Sequence, residues 1–508
     1  MKKFVAVILS LAMMMSFVCV AFAGGDTGIS YKITSPYENV KELLSDGNNH
    51  YKTNLHTHTT ISDASVTLPE TVEEYYAQNF DILAITDHGV YGREWDKAPY
   101  KYWLMRICTI FNALSDGDDY YKNQYEVLST EKYNAITNGT YGFDGEKNFT
   151  LKSALANGGN RYHISGFSEE SNRTYGRGMY CLTQGAELSA ASIMQNHLNG
   201  FFTDWGQGYA GMLTHEGDYE YFVKNVEKNG GVTFINHPGH YLNSKNIEEN
   251  AKDVNQLFYF SDIFERYNSC LGIETFNNKD NESVNNRVFW DELLQYVIPR
   301  SYVANNGKAR NVYGFSNSDG HELNKADTEF ADFILKDVNQ SNVQSKVRSA
   351  MENGEFFATG RLATHKGELD ESIITQGPVP RVISLDVDEE NDIITVKATN
   401  AERIEWVANG DVIYKEVLTQ GDVTTSVLKL RDFSDKITCY VRFQIFGKGG
   451  YCYSNPFICD NGNMASYVKA DNRSKAEIFK DKVDRLFTQG LIGSVVMIIR
   501  WAIEKELY

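Results

Sequence analysis

The sequence predicts an α/β barrel followed by a small all-β sandwich and a C-terminal helix. Three observations predict it. Short apolar runs end abruptly in polar residues of ligand type: residues 80–86 lead into Asp87-His88, residues 231–235 into Asn236-His237, and residues 312–315 into the stretch from Ser316 to His321. Runs this short and this apolar read as fully buried parallel strands. Helix-like stretches at 68–79 and 218–229 alternate with them, which is the pattern of an α/β architecture. Beyond Gly377-Pro378-Val379-Pro380 the pattern changes to alternating apolar and polar residues, as in Ile393-Ile394-Thr395-Val396-Lys397, broken by Asn409-Gly410 and Gly447-Lys448-Gly449-Gly450; this is the signature of short antiparallel strands.

Taken in order, residues 1–23 combine Lys2 and Lys3, an apolar stretch and Ala21-Phe22-Ala23, which reads as a signal peptide cut after Ala23 and a chain that is secreted or extracytoplasmic. Cys19 is preceded by Val18, not by the small residue a lipoprotein signal wants, so a lipid anchor is discounted. The barrel is assigned to residues 24–375. Within it, residues 95–178 are rich in Tyr, Asn, Gly and Ser with weak periodicity and read as an insertion over the barrel mouth, where loops carry specificity; Tyr100, Tyr102, Trp103, Tyr120, Tyr121 and Tyr125 suit contacts with a ring or sugar. Residues 378–462 form the β-sandwich and 463–508 a helical tail. The apolar run at 491–499 is too short to span a bilayer; it docks on the protein or, alternatively, forms an interfacial membrane helix, a route to peripheral membrane or cell-surface contact.

The formal net charge is −18, and loss of Lys2 and Lys3 with the leader makes it more acidic. With no Lys/Arg-rich run, extended binding to nucleic acid is disfavoured, while a small anionic substrate held by metal ions is compatible. The cysteines after the leader include no C-x-x-C pair, which speaks against thiolate zinc sites. Cys439, Cys452 and Cys459 lie close enough in sequence to supply one disulfide in an oxidising compartment.

The chemistry lies at the predicted strand ends. His56-Thr57-His58 places two imidazoles two residues apart, so that in an extended chain they point the same way. Asp63 follows, then His88, Glu187 and His237, and Asp319-Gly320-His321 repeats the i, i+2 spacing. Any one of these is weak; an ordered series of N and O donors suits Zn²⁺, Mn²⁺ or Fe²⁺. Asp87 and Asn236, beside ligands, read as partners that orient imidazoles or as caps. Glu274 ends another strand and reads equally as a residue of the mouth or a structural acid, and His240 either faces substrate or is solvated.

These motifs resemble the PHP (polymerase and histidinol phosphatase) family of metal-dependent phosphoesterases, in an exported branch with a C-terminal β-sandwich. The matching residues are His56-Thr57-His58 with Ser62-Asp63, Thr86-Asp87-His88, Glu187 and Ser318-Asp319-Gly320-His321, within about residues 50–360. The resemblance implies a distorted (β/α)7, TIM-like barrel carrying two to three divalent ions. Carried over residue by residue, it implies that His56, His58, Glu187 and Asp319 hold one ion. Glu187 bridges to a second, shared with His237 and a histidine after Glu187, for which His197 is favoured and His215 is the rival. Asp63, His88 and His321 hold the third. The long separation of His88 from Glu187 departs from the compact family pattern and puts substrate identity in doubt.

The expected activity is hydrolysis of a small phosphomonoester or nucleotide by metal-activated water, with no protein nucleophile. Ions in excess of their carboxylates leave a positive site that matches a dianionic phosphate. Hydrolysis of a carboxylic or carbamic ester, a 5′-end exonuclease and a non-enzymatic surface binding module are the alternatives.

Overall fold

The computed structural model describes residues 29–101, 122–141, 178–189, 196–207, 219–240, 252–277, 280–322, 326, 328–361, 363, 368, 378–417 and 423–489. The leader, the apolar run at 491–499, and Tyr102, Trp103, Tyr120, Tyr121 and His215 lie outside them. The chain is a mixed α/β protein with several sheets. Its first eleven strands are β1 (Lys32–Thr34), β2 (His50–Asn54), β3 (Ile82–Ala84), β4 (Tyr180–Leu182), β5 (Gly185–Leu188), β6 (Leu198–Phe201), β7 (Val232–Ile235), β8 (Cys270–Asn277), β9 (Tyr313–Asn317), β10 (Glu329–Ile334) and β11 (Phe356–Gly360). With them come the helices α1 (Leu68–Ala77), α2 (Thr130–Thr137), α3 (Tyr219–Lys228), α4 (Val254–Arg266), α5 (Asp280–Ala304) and α6 (Val343–Asn353).

The strands expected at 80–86, 231–235 and 312–315 are β3, β7 and β9, and the expected helices at 68–79 and 218–229 are α1 and α3. β2, β3 and β4 pair in parallel, as do β7, β8 and β9. β6 departs from the all-parallel expectation by pairing antiparallel with both β5 and β7. The reason is connection length: the link 189–197 is shorter than the dozen or so residues a parallel crossover needs. Among the described residues no continuous ladder closes the strands into a barrel. Two isolated parallel bridges, Thr57 to Gly320 and His88 to Glu187, join the two groups of strands at their C-terminal ends.

Helix α1 shows how locally the frame is specified. Thr67 caps it, accepting from Glu70 N–H while the Glu70 carboxylate accepts from Thr67 N–H, and Pro69 sits in the first turn. The helix buries Leu68, Val72 and Tyr75 against Phe80, Leu83 and Ile85, and Asn79 stops it in the left-handed region at φ 58°. Thr67→Ala is expected to cost about 1 kcal/mol in urea-induced unfolding with metal content unchanged. An unaltered midpoint would show that tertiary packing alone fixes this helix end.

Part of the predicted insertion belongs to the same frame. Ile136 of α2 and Leu128 pack with Trp95 and Met179, and Leu128 N–H donates to Trp95 O. Tyr100 is exposed, with Arg93 over its ring.

The C-terminal strands are β12 (Arg381–Asp388), β13 (Ile393–Thr399), β14 (Arg403–Ala408), β15 (Asp411–Val417), β16 (Val423–Lys429), β17 (Tyr440–Gly447), β18 (Gly450–Ser454) and β19 (Phe457–Asp460). β12, β13 and β16 form an antiparallel sheet, and β16 alternates exposed and buried residues throughout, as a half-buried strand must. Val396, Leu428 and Ile394 from this sheet share a core with Trp406, Val441 and Phe443 of the facing strands, and Trp406 Nε1 donates across it to Ser426 Oγ. The facing sheet is not a separate unit: β17 pairs β18, β18 pairs β11, β11 pairs β10 and β10 pairs β2. β1 pairs β19, so the start of the described chain is stitched to this C-terminal region.

Cys439, Cys452 and Cys459 are free thiols, which corrects the disulfide expectation. Each is buried in strand packing, and burial pushes the Cys439 thiol up to about 12. The last described helix, α7 (Lys475–Gln489), is capped reciprocally by Ser474 and Glu477, and Arg485 docks it over the Tyr259 ring of α4. Among the described residues no helix is long and apolar enough to cross a membrane.

Candidate metal centre

The two i, i+2 motifs meet because the chain beyond β2 pairs with the turn beyond β9. Asp319 N–H donates to His56 O, and His58 N–H donates to Gly320 O, each at 3.0 Å. Gly320 permits the approach, since a Cβ there would lie 2.7 Å from the Tyr75 hydroxyl and 3.0 Å from Thr57 Oγ1. Asp319 has φ 45° and His237 φ 26°, a region other residues rarely adopt and one that recurs at functional sites. Gly89 N–H donates to Glu187 O and Glu187 N–H to Thr86 O, which sets His88 beside Glu187.

The side chains converge. Glu187 lies 3.1 Å from His58 Nε2 and from His88 Nδ1, 3.0 Å from His197 Nδ1, and 3.4 Å from the Nε2 atoms of His56 and His237. Asp319 Oδ1 is 3.3 Å from His56 Nε2 and 3.2 Å from His58 Nε2. Asp63 is 3.2 Å from His88 Nε2 and 3.3 Å from His321 Nε2. Four overlapping groups able to hold a metal ion result: His58, Asp63, His88 and His321; His56, His237 and Asp319; His56, His58 and Glu187; and His88, Glu187 and His197.

These donors fit metal ions better than they fit one another. Ligands at about 2.0–2.2 Å from one ion stand roughly 3.0–3.5 Å apart along the edges of its coordination shell, which is the spacing found here. His197 Nε2 is buried and makes no hydrogen bond, and buried His88 Nδ1 and Asp319 Oδ1 meet their ion-pair partners without hydrogen-bond geometry, a costly state unless another partner completes it.

Charge agrees with geometry. Burial opposes ionisation of Glu187, yet His197, His56 and His88 outweigh it and hold the carboxyl well below its usual range. Asp63 and Asp319 are likewise held low by neighbouring imidazoles against burial. Burial lowers His197 to about 4, keeping the ring neutral with one nitrogen lone pair available. For His58, burial is outweighed by Asp319 and Glu187, which raise it to about 10, so a cation entering there must displace a proton. His56 and His58 are fully buried, whereas the side chains of Asp63 and His321 are 30% and 29% exposed. The centre therefore opens at its Asp63–His321 end.

Among solved structures, the chain matches a two-domain protein from Bacteroides vulgatus described as containing a predicted PHP-like metal-dependent phosphoesterase. The resemblance is structural. Identity is 14% and the TM-score 0.34, over 81% of this chain and 97% of that one. PsfC from Pseudomonas syringae is similar at 13% identity and a TM-score of 0.26, over 57% of this chain and 84% of its own. No protein-family model and no curated protein matches the chain.

The structure thus brings together His56, His58, Asp63, His88, Glu187, His197, His237, Asp319 and His321. The His240 side chain lies outside the described set. Asp87 reaches the centre through intermediates: its carboxylate accepts from Thr59 N–H and Oγ1 and from Ser62 N–H and Oγ, and Ser62 Oγ is 3.2 Å from His58 Nδ1. Asn236 bonds a carboxylate, donating to Glu187 Oε1 at 2.7 Å. The residue that sequence reasoning left undecided is Glu274, fully buried behind His56. Its signal was present, because Gly272-Ile273-Glu274 is an apolar run ending in an acid, as at the other strand ends.

Proposed function

We propose that this chain is a metal-dependent hydrolase of the PHP type, acting on a small phosphomonoester. The observation that carries the proposal is the convergence of six imidazoles and three carboxylates at ligand spacing, with buried donor atoms that make no hydrogen bond. The two bridges support reading β2, β3 and β5 to β9 as the seven strands of a distorted barrel, with residues 378–462 as an appended sandwich. The leader-like pattern of residues 1–23 supports a reading in which the site works outside the cytoplasm.

His56, His58, Glu187 and Asp319 would hold one ion, Glu187 with His197 and His237 a second, and Asp63, His88 and His321 a third. Divalent ions there supply activation of water and neutralisation of phosphoryl oxygens. The chain's own residues supply the rest. Buried His56, His58 and Glu187 exclude water from the closed end of the centre. Ser62 and Asp87 fix the loop that carries Asp63, and Asn236 holds Glu187 in register. Half-exposed Asp63 and His321 mark the side from which an anion approaches, and three carboxylates against two or three divalent ions leave a positive centre suited to a dianion.

The test is metal analysis of the purified chain, followed by chelation and restoration with Zn²⁺, Mn²⁺ or Fe²⁺ against a panel of aryl phosphate, aryl ester and short oligonucleotide. Two to three ions per chain and metal-dependent release from the aryl phosphate are expected. Full activity in metal-free protein would overturn the reading. Turnover of the ester alone would keep the metals and reject the phosphate.

A further inference from the structure

Glu274 lies on β8 with no exposure, beyond the nine candidate ligands and behind them. Its two oxygens meet four donors. Oε1 is 2.8 Å from His56 Nδ1 and 3.0 Å from Asn317 Nδ2. Oε2 accepts from His237 N–H at 3.0 Å and from Asn277 Nδ2 at 2.8 Å. One carboxylate therefore grips an imidazole assigned to one ion and the backbone of a residue assigned to a second, where that backbone has φ 26°.

We propose that Glu274 is a positioning residue that sets the tautomer of His56 and ties two metal positions together. Contact with Glu274 Oε1 keeps a hydrogen on His56 Nδ1 and turns Nε2, 3.4 Å from Glu187 and 3.3 Å from Asp319, to the metal position between them, where the lone pair serves a bound ion. The same carboxylate holds the His237 backbone in its left-handed turn, so the segment that carries the His237 ring is tied to the group that holds His56. This rests on the functional reading above only in assuming that the centre takes up a divalent ion.

Glu274→Gln discriminates this role from plain packing. The new amide NH₂ must face one pair of donors. At the Oε2 position it would oppose a backbone N–H, which cannot reverse. At the Oε1 position it faces His56, which can accept at Nδ1 by moving its hydrogen to Nε2. Asn317, committed through Oδ1 to Leu55 N–H, keeps its NH₂ toward that position too, so each orientation opposes one fixed donor, and in the Oε1 orientation His56 adapts by the tautomer shift. His56 then turns an N–H toward the metal position, with no change of volume.

The measurement is zinc uptake by the full chain, with ¹⁵N spectra of the histidine rings and the His56 signal assigned by its loss in His56→Asn. The wild type should bind zinc with His56 ligated through Nε2 and protonated at Nδ1. Glu274→Gln should weaken zinc binding by roughly 10- to 100-fold, the usual worth of a supporting residue, and show hydrogen on His56 Nε2. Wild-type protein that takes up no zinc would overturn the functional reading. Wild type that binds zinc, with Glu274→Gln equal to it in stoichiometry and affinity, overturns the role of Glu274 alone. Should the variant not fold, the zinc-loaded wild type decides: ligation of His56 through Nδ1 refutes the proposal.

Discussion

Glu187→Gln should leave a folded protein that has lost bound metal and has no measurable phosphatase activity. The expectation follows from how many groups depend on one carboxylate. Five imidazoles, those of His56, His58, His88, His197 and His237, lie within 3.4 Å of it, and the two groups proposed for the first and second ions share it. Gln keeps the shape but removes the negative charge and turns one ligand atom into a donor. The loss should far exceed the roughly 10- to 100-fold effect of a supporting residue. Asn236, which donates to Glu187 Oε1, would meet either the remaining carbonyl or an opposing NH₂, so no orientation of the amide restores the original set. Metal analysis by mass spectrometry and aryl phosphate turnover at saturating Zn²⁺ or Mn²⁺ check this. A variant that holds its full complement of metal would remove Glu187 from the centre and require the four overlapping groups to be regrouped around Asp319 and Asp63.

The centre was legible in sequence because its parts obey local rules. His56-x-His58 and Asp319-x-His321 use the two-residue period of an extended chain, and His88, His237 and Asp319 follow apolar runs whose type marks a buried strand. What sequence could not give was the pairing between those ends. That Thr57 would bridge Gly320 and His88 would bridge Glu187 depends on contacts between residues far apart in the chain. The antiparallel turn of β6 was missed for a different reason: Leu198-Asn199-Gly200-Phe201 is neither an apolar run nor a regular alternation, and only the short link 189–197 betrays its direction. Glu274 stayed ambiguous because an acid at a strand end looks the same whether it faces a metal, an imidazole or solvent. The C-terminal strands were visible as alternation, yet their continuity with β2 through β18, β11 and β10 left no mark in composition: Arg442 and Gln444 alternate with apolar residues as in a half-exposed strand, while β17 is buried along its whole length.

That continuity concentrates stability in one ion pair. Asp291 of α5 and Arg442 of β17 are 6% and 3% exposed and meet through two bonds, Nε to Oδ1 at 2.8 Å and NH2 to Oδ2 at 2.6 Å. Tyr440 donates to the same carboxylate at 2.8 Å, and the guanidinium lies over the Trp290 ring. Removing one member leaves the other buried and uncompensated, so Asp291→Ala should destabilise the protein by about 3–5 kcal/mol in urea unfolding. Replacing the pair together, Asp291→Leu with Arg442→Met, should recover most of that loss, because two apolar groups of similar volume avoid the desolvation that the ions incur. The effect should also reach the metal centre. Asn286, one turn earlier on α5, accepts from Gly239 N–H in the turn after His237, and Trp290 packs under Gly314, where an added Cβ would stand 2.8 Å from its ring. Loosening α5 therefore frees the His237 turn, and zinc should dissociate faster from Asp291→Ala than from wild type well below the unfolding midpoint. A single substitution costing less than the roughly 1 kcal/mol of an exposed pair would mean that water reaches Arg442 and that the strands, not this pair, bind the two halves of the chain together.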